Sequence, residues 1–123
     1  MTRLNLKLWT LAGALALFSA PPALAHAKLV NSTPANNSVV TAAPAAIALT
    51  FNEKLVAAFT KAELTMPEHG GMKVNAASKT STDGKSLTVT PARPLGKGAY
   101  KLDWIAATAD GHKMSGAISF TVG

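Results

Sequence analysis

AYKLDWIA, residues 99 to 106, is the stretch that decides the fold of this chain. Its apolar side chains Tyr100, Leu102 and Trp104 occur at every second position, so an extended backbone places all three on one face. The segment AISFTV, residues 117 to 122, repeats the same alternation further along the chain. Both segments are therefore predicted to be β-strands with one buried face.

Similar patterns occur through the rest of the chain after residue 25. Alternation or a short β-prone run is found in AKLVNS, AIALTFNE, AELTM and SLTVT. Pro, Asn, Asp and Gly residues, which form tight turns, separate these runs. EKLVAAFTKAEL, residues 53 to 64, is the one helix candidate, and it fits a strand with a bend equally well. We therefore predict an all-β fold, a small immunoglobulin-like Greek-key β-sandwich or barrel of about seven strands.

Residues 1–25 have the features of a secretory signal peptide. Arg3 and Lys7 precede the apolar run LWTLAGALALF, and a small-residue cleavage site ends at Ala25. The apolar run is shorter than the roughly 20 residues that a membrane-spanning helix needs. We expect cleavage after Ala25 and a mature domain, residues 26–123, that lies in the periplasm and is not embedded in a membrane.

Composition excludes several kinds of function. The chain has no cysteine, which rules out thiolate metal sites, cysteine nucleophiles and disulfides. Of its twelve Lys and Arg residues, Arg3 and Lys7 lie in the leader, so ten remain against six acidic residues. These ten are scattered singly, without a basic run or interleaved aromatic residues, and nucleic-acid binding is not expected.

His26 becomes chemically unusual if the leader is removed in front of it. A free N-terminal histidine can bind one metal ion through both its α-amino group and its ring Nδ1. The α-amino pKa of about 7.7–8.0 allows a strong Lewis acid to displace the proton near neutral pH. Asp110 and His112, in TADGHKM, could supply a carboxylate and a second imidazole. Nitrogen and oxygen ligands without thiolate favour Cu(II) over Zn(II).

Each of these features also has an ordinary structural explanation. A histidine at position 26 can follow from the position of the cleavage site alone. Asp-Gly before a polar residue is typical of a hairpin turn. The metal-site interpretation requires residue 26 and the segment 110–112 to meet in space, and the residue pattern leaves both interpretations open.

The segments HAKLVNSTPANNSVV, LTFNEKL and LTVTPARPLGKGAYKLDWIAATADGHKMSGAISFTV together resemble the CopC family of periplasmic copper-binding proteins, across residues 26–123. The initial His, STP, TF-x-E, PL-x-x-G-x-Y-x-x-x-W and D-x-H occur in that order. The resemblance implies a Greek-key β-sandwich with a Cu(II) site formed by His26, Asp110 and His112. It also implies copper trafficking, homeostasis or resistance without catalysis, and a CopD-type copper-transport partner in the inner membrane. We expect a monomer.

Some members of the family also bind Cu(I) in a methionine-rich loop, and LTMPEHGGMKV occupies the corresponding place here. Met66, His69 and Met72 are therefore candidates for a second, weaker Cu(I) site, because thioethers suit the soft ion. Alternatively, Met66 packs in the core and His69 is a solvated loop residue.

Glu53 resembles an acid that the family keeps near the N-terminal segment. There it could hold the ammonium or a ligand histidine. Alternatively, it is an exposed strand-end carboxylate. Met114 is interpreted as a packed or rim residue.

Two other classes of function are compatible with parts of the sequence. A copper-dependent oxidase or monooxygenase with an N-terminal histidine brace would present a flat aromatic surface. The aromatic residues after residue 25 instead occur mostly at alternating positions of predicted strands, on the faces expected to pack in the core. A metal-free immunoglobulin-like interaction module would leave the three histidines without a role. Titration of the processed protein with Cu(II) distinguishes these classes from a copper carrier.

Overall fold

The computed structural model describes residues 27–123, and the regular structure of this range is almost entirely β. Two short 3-10 turns, Ala57–Phe59 and Pro67–His69, flank one of the strands. In the described range there is no helix of the length and apolar character needed to cross a membrane. The strands of this range are β1 (Leu29–Thr33), β2 (Ser38–Val40), β3 (Ile47–Phe51), β4 (Lys61–Met66), β5 (Met72–Val74), β6 (Ala76–Thr80), β7 (Ser86–Pro91), β8 (Gly98–Ala107) and β9 (Lys113–Val122).

These strands form two sheets whose apolar faces pack against each other. The four-stranded sheet has the order β1-β3-β7-β6, and the five-stranded sheet has the order β2-β9-β8-β4-β5. Neighbouring strands are antiparallel, except that β2 and β9 pair in parallel. The chain passes from one sheet to the other between β1 and β2, between β2 and β3, between β3 and β4, between β5 and β6, and between β7 and β8. The predicted all-β sandwich is confirmed.

Three of the nine strands in residues 27–123 lie outside the six runs that the residue pattern identified, so their number exceeds the expected value of about seven. β2 and β5 have three residues each, too few for an alternation to be recognised. β6 is exposed along nearly its whole length, so it has no apolar face. The segment 53–64, left open between helix and strand, contains the first 3-10 turn and the beginning of β4.

Alternating side chains of the long strands fill the space between the sheets, as predicted. Phe51 of β3 contacts Trp104 of β8 edge to face, with ring centroids 5.0 Å apart. Tyr100 stacks on Phe120 at 5.4 Å. Burial of aromatic and branched apolar side chains at these positions is the main force that holds the sheets together. The largest fully buried side chains are Phe51, Phe120, Ile47, Leu49, Leu64, Leu87, Leu102, Ile118 and Val89.

The paired strands β8 and β9 run the length of the five-stranded sheet and define its two ends. The turn that joins them, residues 108–112, lies at what we call the turn end. β4 runs antiparallel to β8, so Met66 and the hairpin that follows it lie at the opposite end, the methionine end. At about 3.3 Å per residue, the seven steps from Tyr100 to Ala107 separate the two ends by about 23 Å.

Candidate functional site

The D-x-H segment lies in the tight turn between β8 and β9. The Thr108 N–H donates to the His112 carbonyl at 3.0 Å, and the Gly111 N–H donates to the Thr108 carbonyl at 3.0 Å. Gly111 has φ +88°, a left-handed conformation that favours glycine. The Asp-Gly pair therefore does form a turn, and this turn also brings the two polar side chains on either side of Gly111 together.

Asp110 and His112 form a close carboxylate–imidazole pair. Asp110 Oδ2 lies 2.6 Å from His112 Nδ1. Asp110 Oδ1 accepts hydrogen bonds from the His112 backbone N–H at 3.2 Å and from the Thr108 hydroxyl. An ionised carboxylate can only accept hydrogen bonds, so Nδ1 is the protonated ring nitrogen of this pair. The neutral ring then carries its lone pair on Nε2, the nitrogen through which it can bind a metal ion.

The same contacts keep Asp110 ionised. The Thr108 hydroxyl, followed by the His112 ring and the His112 backbone N–H, lowers the pKa of Asp110 to about 2. Each of these donors favours the charged form of the carboxylate. A deprotonated carboxylate is in the state that a divalent metal ion requires. The pair remains accessible, since the Asp110 and His112 side chains are 38% and 52% exposed.

The first described residues of the chain and the D-x-H turn contact a common segment, residues 52–56. The Lys28 N–H donates to Asn52 Oδ1 at 2.7 Å, and the Asn52 N–H donates to the Lys28 carbonyl at 3.1 Å. At the other end of this segment, Leu55 forms a β-bridge with Thr108. Ala27 is buried in the core cluster. The start of the described chain is therefore held at the turn end. His26, the remaining predicted Cu(II) ligand, lies outside the described residues.

Glu53 lies in the segment 52–56 that connects the start of the described chain to the turn. Its side chain is half-buried, and no side chain or backbone group in residues 27–123 hydrogen-bonds to its carboxylate. A role in holding the N-terminal ammonium or a ligand histidine stays a prediction. Within this described range no three or more His, Asp or Glu side chains cluster in a way that could hold a metal ion.

The structure brings together two of the three residues predicted to bind Cu(I). Met66 and Met72 are directly opposite each other in the β4–β5 hairpin, so their side chains project from the same face of the sheet. Met66 packs against the core, and Met72 is 54% exposed. Both line a groove of about 530 Å³ that also includes Tyr100. His69 is exposed in the turn between the strands and does not line this groove.

Thr108 was not identified from the sequence, although it holds the Asp110 carboxylate. Its side chain is only 8% exposed, and its hydroxyl lies between the carboxylate and the turn backbone. The available signal was a threonine two residues before an aspartate, a spacing at which a hydroxyl and a carboxylate can meet across a turn. Met114 pairs with Ala106 across β8 and β9 and is 37% exposed, so it lies at the rim, as predicted.

Exposed aromatic surface is scarce in the part of the chain that the structure describes. Phe51, Tyr100, Trp104 and Phe120 are buried. Phe59 is 58% exposed, and the Lys113 ammonium lies 5.7 Å from its ring centroid. One exposed ring does not form the flat aromatic platform that a polysaccharide-directed enzyme was expected to present.

Comparisons with known proteins agree with the resemblance drawn from the motifs. Residues 29–123 match the family model described as the CopC domain. Copper resistance protein C of Xanthomonas campestris pv. juglandis is 49% identical over 105 residues, which cover 81% of this chain and 82% of that protein. The protein of the same name from Pseudomonas syringae pv. tomato is 47% identical, with the same coverage of both chains. The crystal structure of PcoC, a methionine-rich copper resistance protein from Escherichia coli, superposes with a TM-score of 0.74 at 40% identity, covering 80% of this chain and all of that one.

Proposed function

The chain belongs to the CopC domain family, and from this membership we propose that it binds Cu(II) at the turn end and carries or buffers copper in the periplasm. The observation that carries the proposal is the Asp110–His112 pair, which places an ionised carboxylate and an imidazole side by side in an accessible turn. Copper has the highest affinity among the divalent ions of this series for nitrogen and oxygen ligands.

His26 is proposed to complete the Cu(II) site with its α-amino group and ring Nδ1. Support comes from the next residues, because the Lys28 backbone is fixed to Asn52 and this segment continues to Leu55, which is bridged to Thr108. Two nitrogens from His26, one from His112 and one oxygen from Asp110 would give the four ligands of a tetragonal Cu(II) site, once the hydrogen bond between Asp110 and His112 gives way to bonds from both side chains to the ion. The proposal includes cleavage after Ala25, because the amine of His26 must be free to bind.

The methionine end is proposed to bind Cu(I) through Met66 and Met72, with His69 as a third ligand. The directly opposed methionine side chains support this proposal, since two thioethers on one face of a hairpin can approach one soft ion. His69 would have to turn toward the groove when the ion binds.

The cellular role that we propose is copper trafficking, homeostasis or resistance, because the relatives are named copper resistance proteins. A CopD-type membrane protein is the proposed partner.

The decisive experiment uses protein purified after export, with its first residue determined by mass spectrometry. We expect the chain to begin at His26, to bind one Cu(II) ion, to quench Trp104 fluorescence on binding, and to give a tetragonal electron paramagnetic resonance spectrum with nitrogen hyperfine coupling. Affinity is expected to fall with decreasing pH, because the amine, the imidazole and the carboxylate must all be deprotonated.

Two variants test the N-terminal chelate directly. One extra alanine before His26 converts the amine to an amide, and His26→Ala removes the ring but keeps an amine. We expect both changes to weaken Cu(II) binding strongly. Extension after Gly123 is the matched control, because it adds a residue without touching the amine. Unchanged affinity in the N-terminal variants would exclude the chelate, and absence of any Cu(II) binding by the processed protein would favour a metal-free interaction module.

A further inference from the structure

Thr108 is the buried polar residue that contacts the proposed copper ligands. Its hydroxyl donates to Asp110 Oδ1, and the hydroxyl oxygen of Thr108 lies 3.4 Å from the carbonyl oxygen of His112. Asp110 Oδ2 in turn pairs with the His112 ring at 2.6 Å. A chain of hydrogen bonds thus runs from Thr108, which directly follows β8, through the carboxylate to the imidazole.

Thr108 is itself fixed by backbone contacts on both sides. Leu55 forms a β-bridge with it, its N–H donates to the His112 carbonyl at 3.0 Å, and its carbonyl accepts from the Gly111 N–H. The side chain is 8% exposed. A buried hydroxyl that donates to a charged group makes a stronger hydrogen bond than one that donates to a neutral group. Of the groups in residues 27–123 that hydrogen-bond to the Asp110 carboxylate, only the Thr108 hydroxyl lies outside the D-x-H segment. This hydrogen bond therefore fixes the position of the carboxylate relative to the strands.

We propose that Thr108 is a positioning residue of the copper site, whose hydroxyl holds the Asp110 carboxylate beside the His112 ring, where both side chains can bind the metal ion. This inference rests on the proposed Cu(II) function. Groups that orient a metal ligand set its tautomer and its geometry, and loss of such a group typically weakens metal binding by about 10–100-fold. The T-x-D-x-H segment then acts as one unit, in which Thr108 binds no metal itself.

The test compares Thr108→Val with Thr108→Ser. Valine keeps the branched shape and removes the hydroxyl, whereas serine keeps the hydroxyl; Thr108→Ala serves as a second hydroxyl-free variant if valine does not fold. We expect Cu(II) affinity to fall about 10-fold or more in Thr108→Val and to be largely restored in Thr108→Ser. The electron paramagnetic resonance spectrum of Thr108→Val should change, because the carboxylate ligand is no longer held in one position.

Thr60 offers a matched control at the same end of the sheet. It is also buried, at 7% exposure, and its hydroxyl donates to the Val56 carbonyl at 2.9 Å and accepts from the Ala107 N–H at 3.3 Å. Its hydroxyl makes no hydrogen bond to Asp110 or His112. Thr60→Val should lower the melting temperature without changing Cu(II) affinity. An equal loss of affinity in Thr60→Val and Thr108→Val would overturn the positioning role, since general loosening of the turn end would then explain both.

A copper-free measurement separates this inference from the proposed function. Nitrogen-15 NMR of the His112 ring in the metal-free protein reports which ring nitrogen carries the proton. We expect the Nδ1–H tautomer to dominate in the wild-type protein and in Thr108→Ser, and to be less populated in Thr108→Val. Wild-type tautomer and wild-type affinity in Thr108→Val would overturn the inference, even where the wild-type protein binds copper. Failure of the wild-type protein to bind copper would instead overturn the proposed function, whatever the tautomer measurement shows.

Discussion

Gly116→Ala should destabilise the sandwich, because Gly116 makes room for the indole ring of Trp104. The two residues are paired across β8 and β9. A Cβ added at residue 116 would lie 2.8 Å from Trp104 Cε2 and 3.2 Å from Cη2, closer than carbon atoms normally approach. The ring cannot move away freely, because it also contacts the Phe51 ring, at a centroid distance of 5.0 Å. The added methyl group must therefore displace packed side chains or backbone.

Two opposing effects decide the magnitude. Overpacking of a filled core costs about 1–3 kcal/mol. Replacing glycine by alanine reduces the conformational entropy of the unfolded chain and returns about 0.4–1 kcal/mol. We expect a net loss of about 1–2 kcal/mol in the free energy of unfolding, which lowers the melting temperature of a domain of this size by about 5–15 °C.

Thermal unfolding followed by Trp104 fluorescence measures this loss, since Trp104 is the only tryptophan after residue 25. Gly96→Ala is the control, because a Cβ at Gly96 meets nothing within 4 Å and its backbone is not left-handed. Its melting temperature should stay the same or rise. A Gly116→Ala protein as stable as Gly96→Ala would refute the close packing of the ring on residue 116.

Two further predictions concern the two ends of the molecule. Asp110→Asn should weaken Cu(II) binding by about 10-fold or more, measured by competition with a chelator. It should also change acid unfolding: the folded pKa of Asp110 is lowered to about 2 from an unfolded value of about 3.9, so its stabilising contribution is present above pH 4 and is lost as the pH falls toward 2. Asp110→Asn should lack that part of the pH dependence. Acid unfolding curves of equal shape in the two proteins would contradict the lowered pKa of Asp110 in the folded state. Met72→Leu should weaken Cu(I) binding in a Cu(I)-chelator competition and leave Cu(II) affinity unchanged, because Met72 is at the methionine end, about 23 Å from the turn end. Loss of both affinities would contradict two separate sites.

The fold was predictable wherever a strand buries one face along several residues. Leu49 and Leu102 are completely buried, and both occupy alternating apolar positions that were recognised from the sequence. β2, β5 and β6 were not recognised, because their pairing is decided by neighbouring strands rather than by their own residues. β2 joins the edge of the five-stranded sheet beside β9, and only its Val40 packs against the core. Strand pairing of this kind depends on tertiary contacts, which composition and periodicity do not encode.

The site was predictable in its ligand types and less so in its geometry. The D-x-H segment suggested that Asp110 and His112 could supply two metal ligands, and the Asp-Gly pair suggested a hairpin turn. The turn interpretation is right, and the side chains still meet, because the left-handed Gly111 folds the backbone back on itself. The sequence could not distinguish Thr108 from the other threonines, because the direction of its hydroxyl depends on the geometry of the turn. The bridge to Leu55 and the hydrogen bond to the His112 carbonyl establish that geometry.

The separation of the two ends constrains how copper could enter and leave this protein, if both proposed sites bind it. The turn end offers a carboxylate and imidazole nitrogen, ligands suited to Cu(II), whereas the methionine end offers thioethers, which suit Cu(I). An ion cannot pass from one set of ligands to the other across about 23 Å of packed sheet without leaving the protein. Each oxidation state would therefore exchange with a partner that approaches its own end. A partner that loads the methionine end would leave the turn end accessible, so one molecule could hold both ions at once, and a titration with the two ions together should reach the sum of the separate capacities.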